Sequence, residues 1–180
     1  MSDLSAVLND QDLLTWFLAH GASPNAWTDS RRTALDVAGW ISPPNVLEQL
    51  LQHGGTIDCT NALHMAVRSP KPGRREVIEY LLNAGADINA IEYAGTELQY
   101  WVSGFGTALH SAAKEGRKDM AQFLLEKGAD IDVRDTSGLT PAEVAKEAGY
   151  PQLVPVLSVV KNVQRLVVTL CISQWILTNT

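Results

Sequence analysis

Cysteine is scarce in this 180-residue chain, and basic residues are outnumbered by acidic ones. Cys59 and Cys171 stand far apart in unrelated contexts. They make no disulfide framework, which suits a reducing compartment, so cytoplasm or nucleus is the expected location. With 14 Lys+Arg against 20 Asp+Glu, a net charge of -6 and a pI near 5.1, there is no reserve of cations to neutralise a phosphate backbone. No nucleic acid partner is expected. The first thirty residues lack a basic stretch followed by an apolar run, so no secretory signal is expected. Histidine and cysteine nowhere fall at zinc-finger spacing, and neither a Gly-rich phosphate loop nor a Gly-x-Ser-x-Gly elbow occurs. No metal or other cofactor is therefore expected. What remains is an ordinary globular composition, 46% hydrophobic and 19% charged, in a chain long enough for about 70% of its unfolded surface to be buried.

Two phrases recur along it. Leu18-Ala19-His20-Gly21-Ala22 returns as Leu51-Gln52-His53-Gly54-Gly55, Leu82-Asn83-Ala84-Gly85-Ala86 and Leu125-Glu126-Lys127-Gly128-Ala129, so the glycines are spaced by 33, 31 and 43 residues. Each follows an apolar run at helical spacing and is placed to take the left-handed conformation that ends a helix. The second phrase is Thr33-Ala34-Leu35-Asp36, Asn61-Ala62-Leu63-His64, Thr107-Ala108-Leu109-His110 and Thr140-Pro141-Ala142-Glu143. Thr and Asn are good N-caps, and the residue three places on can reach back to the cap's own amide, so these phrases start helices. Between start and stop lies a further glycine, Gly73, Gly116 or Gly149. One repeat therefore holds two short antiparallel helices.

The strings Gly106-Thr107-Ala108-Leu109-His110-Ser111-Ala112-Ala113, Phe123-Leu124-Leu125-Glu126-Lys127-Gly128-Ala129-Asp130-Ile131-Asp132 and Asp135-Thr136-Ser137-Gly138-Leu139-Thr140-Pro141 resemble the ankyrin repeat. The resemblance covers roughly residues 10 to 157 and implies an all-α solenoid of about five repeats, the first and last degenerate. It also implies an ankyrin domain over residues 1–157, followed by a separate tail at 158–180. A member of this family is expected to bind another protein through the concave surface lined by the first helices. Its histidine three residues after the cap, here His64 and His110, is expected to hydrogen-bond to neighbouring turns.

The period breaks in three places. Residues 91–106 form a long inserted turn, the source of the 43-residue spacing, and hold Tyr93, Tyr100, Trp101 and Phe105. Four aromatics together read either as a satellite core or as an anchor for a ligand. Ser69-Pro70-Lys71-Pro72-Gly73-Arg74-Arg75 lengthens the link between two helices and carries a basic cluster, either a solvated loop or a contact for an acidic segment of a partner. From Leu153 the chain turns strongly apolar, and Pro155 places a helix start near itself. Beyond Arg165 the tail is too short for a bilayer, which takes about twenty residues, so no membrane is expected. It covers the last repeat or pairs with a second copy, a homodimer contact.

Projected onto the concave face, the exposed positions of the first helices are Val37, Trp40 and Ile41, then Met65 and Arg68, then Ser111, Lys114 and Glu115, then Val144 and Glu147. Trp27, Asp29, Arg31 and Arg32 flank them at the first turn. The expected partner-binding set is Trp27, Arg31, Arg32, Trp40, Ile41, Met65, Arg68, Tyr93, Tyr100, Trp101, Phe105, Ser111, Lys114 and Glu115. An alternative is a small apolar ligand, or an acid-base enzyme of isomerase or cyclase type, in a groove with His64, His110 and Asp36 as its proton carriers. No catalytic residue is expected under the first reading.

Overall fold

A computed structural model describes residues 4–28, 31–57, 61–93 and 104–158. A short 3-10 turn, Leu4–Val7, leads into α1 (Gln11–Ala19), followed by α2 (Ala34–Ile41), α3 (Pro44–Gln52), α4 (Ala62–Arg68) and α5 (Arg74–Asn83). After residue 103 come α6 (Ala108–Lys114), α7 (Lys118–Glu126) and α8 (Pro141–Glu147), a 3-10 turn at Pro151–Leu153, and helical residues 154–158. The described residues contain no β-strand.

Each helix begins and ends for a local reason. Asp10 caps α1 by accepting from the Leu13 amide at 3.0 Å. Thr33 and Asp36 close a reciprocal capping box on α2, and Thr140 and Glu143 do so on α8, where Pro141 occupies the first turn. At the other end, Gly21, Gly54, Gly85 and Gly128 all have φ between 84° and 101°. In every copy the glycine amide donates to a carbonyl three residues back, and the next amide donates to the carbonyl five back, as in Gly128 to Leu125 and Ala129 to Leu124. This double bond pattern, the Schellman motif, satisfies the last carbonyls of the helix and admits glycine because no Cβ crowds the left-handed backbone.

The helices form two rows. In the inner row α2 packs on α4, α4 on α6 and α6 on α8. In the outer row α1 packs on α3 and α3 on α5. The pairs α2–α3, α4–α5 and α6–α7 join the rows. Alanines make the inner row dense: Ala34, Ala38, Ala62, Ala66, Ala108, Ala112 and Ala145 are all buried. At Gly39 an added Cβ would lie 2.4 Å from the Ala62 carbonyl oxygen, so α2 and α4 meet at a distance that admits only glycine there. Leucines and isoleucines fill the space between rows, with Leu35, Leu47, Leu50, Ile78, Leu81, Leu109 and Leu124 fully buried. Each such side chain contributes about 2 kcal/mol through burial.

The packed unit begins earlier than residue 10, since Leu4 and Leu8 are both buried against the core. At the far end Leu153 and Leu157 are buried and Pro155 falls within the first turn of the helical residues 154–158. That agrees with a helix starting near this proline, which needs no amide donor there. The tail beyond Ser158, with its expected cover or homodimer contact, lies outside the described residues. No helix among the described residues is long and apolar enough to cross a membrane.

Candidate functional site

The three groups proposed as proton carriers are all spent on holding the repeats together. Asp36 is buried; one carboxylate oxygen accepts from the Thr33 amide at 2.8 Å and the other from the Asn61 amide at 2.5 Å. It thus caps its own helix and ties α2 to the start of α4. Burial raises its pKa, while the bonds from Thr33 and Asn61 pull the other way. In His110, Nδ1 accepts from the Thr107 amide at 3.0 Å, which leaves Nε2 to donate to the Leu139 carbonyl at 3.0 Å. Burial lowers its pKa. His64 donates through Nε2 to the Gly106 carbonyl at 3.1 Å. Burial drives its pKa down to about 4, with the Glu92 carboxylate opposing. His64 lines a cavity of about 190 Å³ walled mostly by apolar groups such as Leu63 and Leu81, and neither His110 nor Asp36 reaches it. A neutral, carbonyl-bonded imidazole in each of two separate repeats is a tie between repeats, as the ankyrin resemblance implied.

His20 and His53 behave as helix-end donors. Their Nδ1 atoms meet the Trp16 and Gln49 carbonyls at 2.7 and 2.9 Å, beside the negative end of the helix dipole. One starting phrase works differently from the others. Asn61 has φ -99° and ψ 20° and makes no side-chain cap bond; its Oδ1 accepts instead from the Tyr93 amide at 2.8 Å. The second starting phrase therefore anchors the long turn rather than capping α4.

The concave-face set divides in two. Trp40, Ile41 and Arg68 are half-buried; Arg31, Arg32, Lys114 and Glu115 are exposed, and Trp27 is 49% exposed. Met65 and Ser111 were expected in the groove, but they are 4% and 5% exposed. Both lie on inner helices that have a neighbour on either side, α4 between α2 and α6 and α6 between α4 and α8, so a side chain that a lone helix would present to solvent is covered by the next repeat. Arg68 is less free than expected. Its guanidinium forms a two-pronged ion pair with Glu92, one prong at 2.8 Å, and Glu92 is only 3% exposed. Glu92 was not singled out from the sequence, where it is one acid among twenty.

The ends of the stretch 91–106 meet. The Glu92 amide donates to the Gly106 carbonyl at 3.0 Å. The Tyr93 and Phe105 rings pack with centroids 5.0 Å apart. Phe105 and Thr136 exchange hydrogen bonds of 2.9 and 3.0 Å, which fastens this neck to the following turn. Tyr93 and Phe105 thus form a small aromatic clasp. Tyr100 and Trp101 lie outside the described residues, as does Asp29. Among the described residues no group of three or more His, Cys, Asp or Glu is placed to hold a metal ion.

With stacked helix pairs, glycine-stopped helices and histidine ties in view, the class is that of a helical repeat solenoid. A family model for ankyrin repeats in three copies matches residues 4–92, and one for ankyrin repeats in many copies matches residues 93–145. The chain belongs to the ankyrin repeat family. Repeats of this family are protein–protein interaction modules.

Proposed function

We propose that this chain captures a partner protein in a reducing compartment, across its inner-helix face and the adjoining first turn, with the Tyr93–Phe105 clasp bordering the same surface. The observation that carries the reading is Trp27, a 49% exposed indole next to the exposed Arg31 and Arg32 and on the same repeat as the half-buried Trp40 and Ile41. Large rigid side chains at the centre with charges at the rim are the anatomy of a recognition surface. Tryptophan and arginine are also the residues in which binding energy concentrates. The commitment of His64, His110 and Asp36 to structural bonds supports binding over turnover.

The test is capture of a partner found by cross-linking the wild-type chain in cell extract, followed by titration of that partner. Trp27→Ala and Trp40→Ala should each weaken it by about 2 kcal/mol, roughly 30-fold, with the helical circular dichroism spectrum retained. Unchanged affinity in both variants would show the face to be wrong.

A further inference from the structure

Among the described residues a strongly cationic hollow lies on the edge where the two helices of a repeat connect. An open pocket of about 630 Å³ lies where α5 and α7 begin. Lys71, Arg74, Arg75, Arg117 and Lys118 line it. Against these five cations stand two carboxylates, Glu76 and Asp119, so the wall carries a formal charge of +3 in a chain whose total is -6.

Two of the cations are built in. Arg74 is only 6% exposed, and its guanidinium donates to the Gly39 and Ser42 carbonyls at 2.8 Å each. Arg117 donates to the Ser69 carbonyl at 2.7 Å and also to that of Val67. Carbonyl oxygens orient a guanidinium without cancelling its charge, so both contribute positive potential from fixed positions. The other cations are exposed at the rim. Arg75 lies 5.4 Å from the Phe123 ring centroid and only grazes the Asp119 carbonyl at 3.4 Å; Lys71 and Lys118 are exposed. The backbone adds to the same field. The N-caps of α5 and α7 are Gly73 and Arg117, and neither makes a side-chain cap bond. Two helix N-termini therefore face the hollow with first-turn amides that no capping side chain occupies.

We propose that this pocket is an anion site that takes a phosphomonoester carried on a side chain of a partner protein. A compact dianion matches a wall that combines fixed guanidiniums, exposed ammonium groups and helix-start amides without a capping side chain, though the Lys118 amide already donates to the Gly116 carbonyl at 3.0 Å. The volume exceeds what one phosphate fills, which leaves room for the peptide that bears it. Only the identity of the carrier rests on the protein-binding reading; neither Trp27 nor Trp40 lines the anion site, which is tested apart from them.

The test is an amide NMR titration of the full chain with three probes: acetyl-phosphoserine-amide, its unphosphorylated counterpart, and inorganic phosphate. The phosphoserine probe should shift the Arg75, Glu76, Asp119 and Met120 amides saturably, and should bind at least tenfold tighter than either of the others. A Lys71→Glu, Lys118→Glu variant should lose at least tenfold in affinity with the rest of the spectrum unchanged, while Lys146→Glu, an exposed charge on α8, should not. Trp40→Ala should leave the shifts intact, so failure of the concave-face reading would not mimic failure here. No saturable shift, equal response to the unphosphorylated probe, or undiminished binding by the double variant would overturn the site. Inorganic phosphate binding as tightly as phosphoserine would overturn the protein-borne source.

Discussion

At His64 burial has a large electrostatic consequence. Its imidazole titrates near 4 in the folded chain against 6.5 when free, so the unfolded chain takes up the proton first as pH falls. The stabilisation this brings is fully present above pH 6.5 and is lost progressively as pH drops through 4. A shift of that size corresponds to about 3 kcal/mol. His110, also lowered by burial, acts in the same direction, whereas Asp36, raised by burial, acts oppositely, its contribution being lost as pH rises. Urea unfolding at pH 7 and pH 4 should show the wild type losing more stability than His64→Gln, in which the amide can still donate to the Gly106 carbonyl. Equal losses in the two proteins would mean that His64 does not titrate as its burial dictates.

Two copies of the starting phrase begin their helices by different means. At Thr140 the hydroxyl accepts from the Glu143 amide and the Glu143 carboxylate accepts from the Thr140 amide at 2.7 Å, so α8 is capped from both directions. At Asn61 the side chain holds the Tyr93 amide instead, at the neck of the long turn. Thr140→Ala should therefore cost about 1 kcal/mol by loss of a cap, read as a lower urea midpoint. Asn61→Ala should instead speed hydrogen exchange at the Tyr93 amide and leave the amides of α4 at their wild-type rates. Faster exchange confined to α4 would show that Asn61 caps it after all.

For the whole molecule, the inner row is built from successive contacts among the described residues, α2 with α4, α4 with α6 and α6 with α8, which makes stability a sum of local terms passed along one dimension. Leu124→Ala opens a cavity in the α6–α7 unit at a cost of about 3 kcal/mol. Native-state hydrogen exchange should then rise in α6, α7 and α8 and stay unchanged in α2 and α3. A uniform rise over all helices would indicate a single cooperative block.

The helix boundaries and the solenoid itself were legible in the sequence because the signals for them are local. A cap is made within three residues, as from Thr140 to Glu143, and a glycine stop within five, as from Ala129 to Leu124, so the phrases that encode them can be read from one stretch of chain. Surface and site could not be read in that way. Whether Met65 and Ser111 face solvent depends on the neighbouring inner helices that cover them. Arg68 finds Glu92 across the start of the long turn, and Arg117 reaches back to the Ser69 carbonyl of the preceding repeat. The same stacking brings Arg117 and Lys118 to the Lys71–Arg75 loop and turns an apparently solvated cluster into a walled cationic pocket. Local hydrogen bonding thus determined what repeats, and the contact of one repeat with the next decided which side chains remain free to bind.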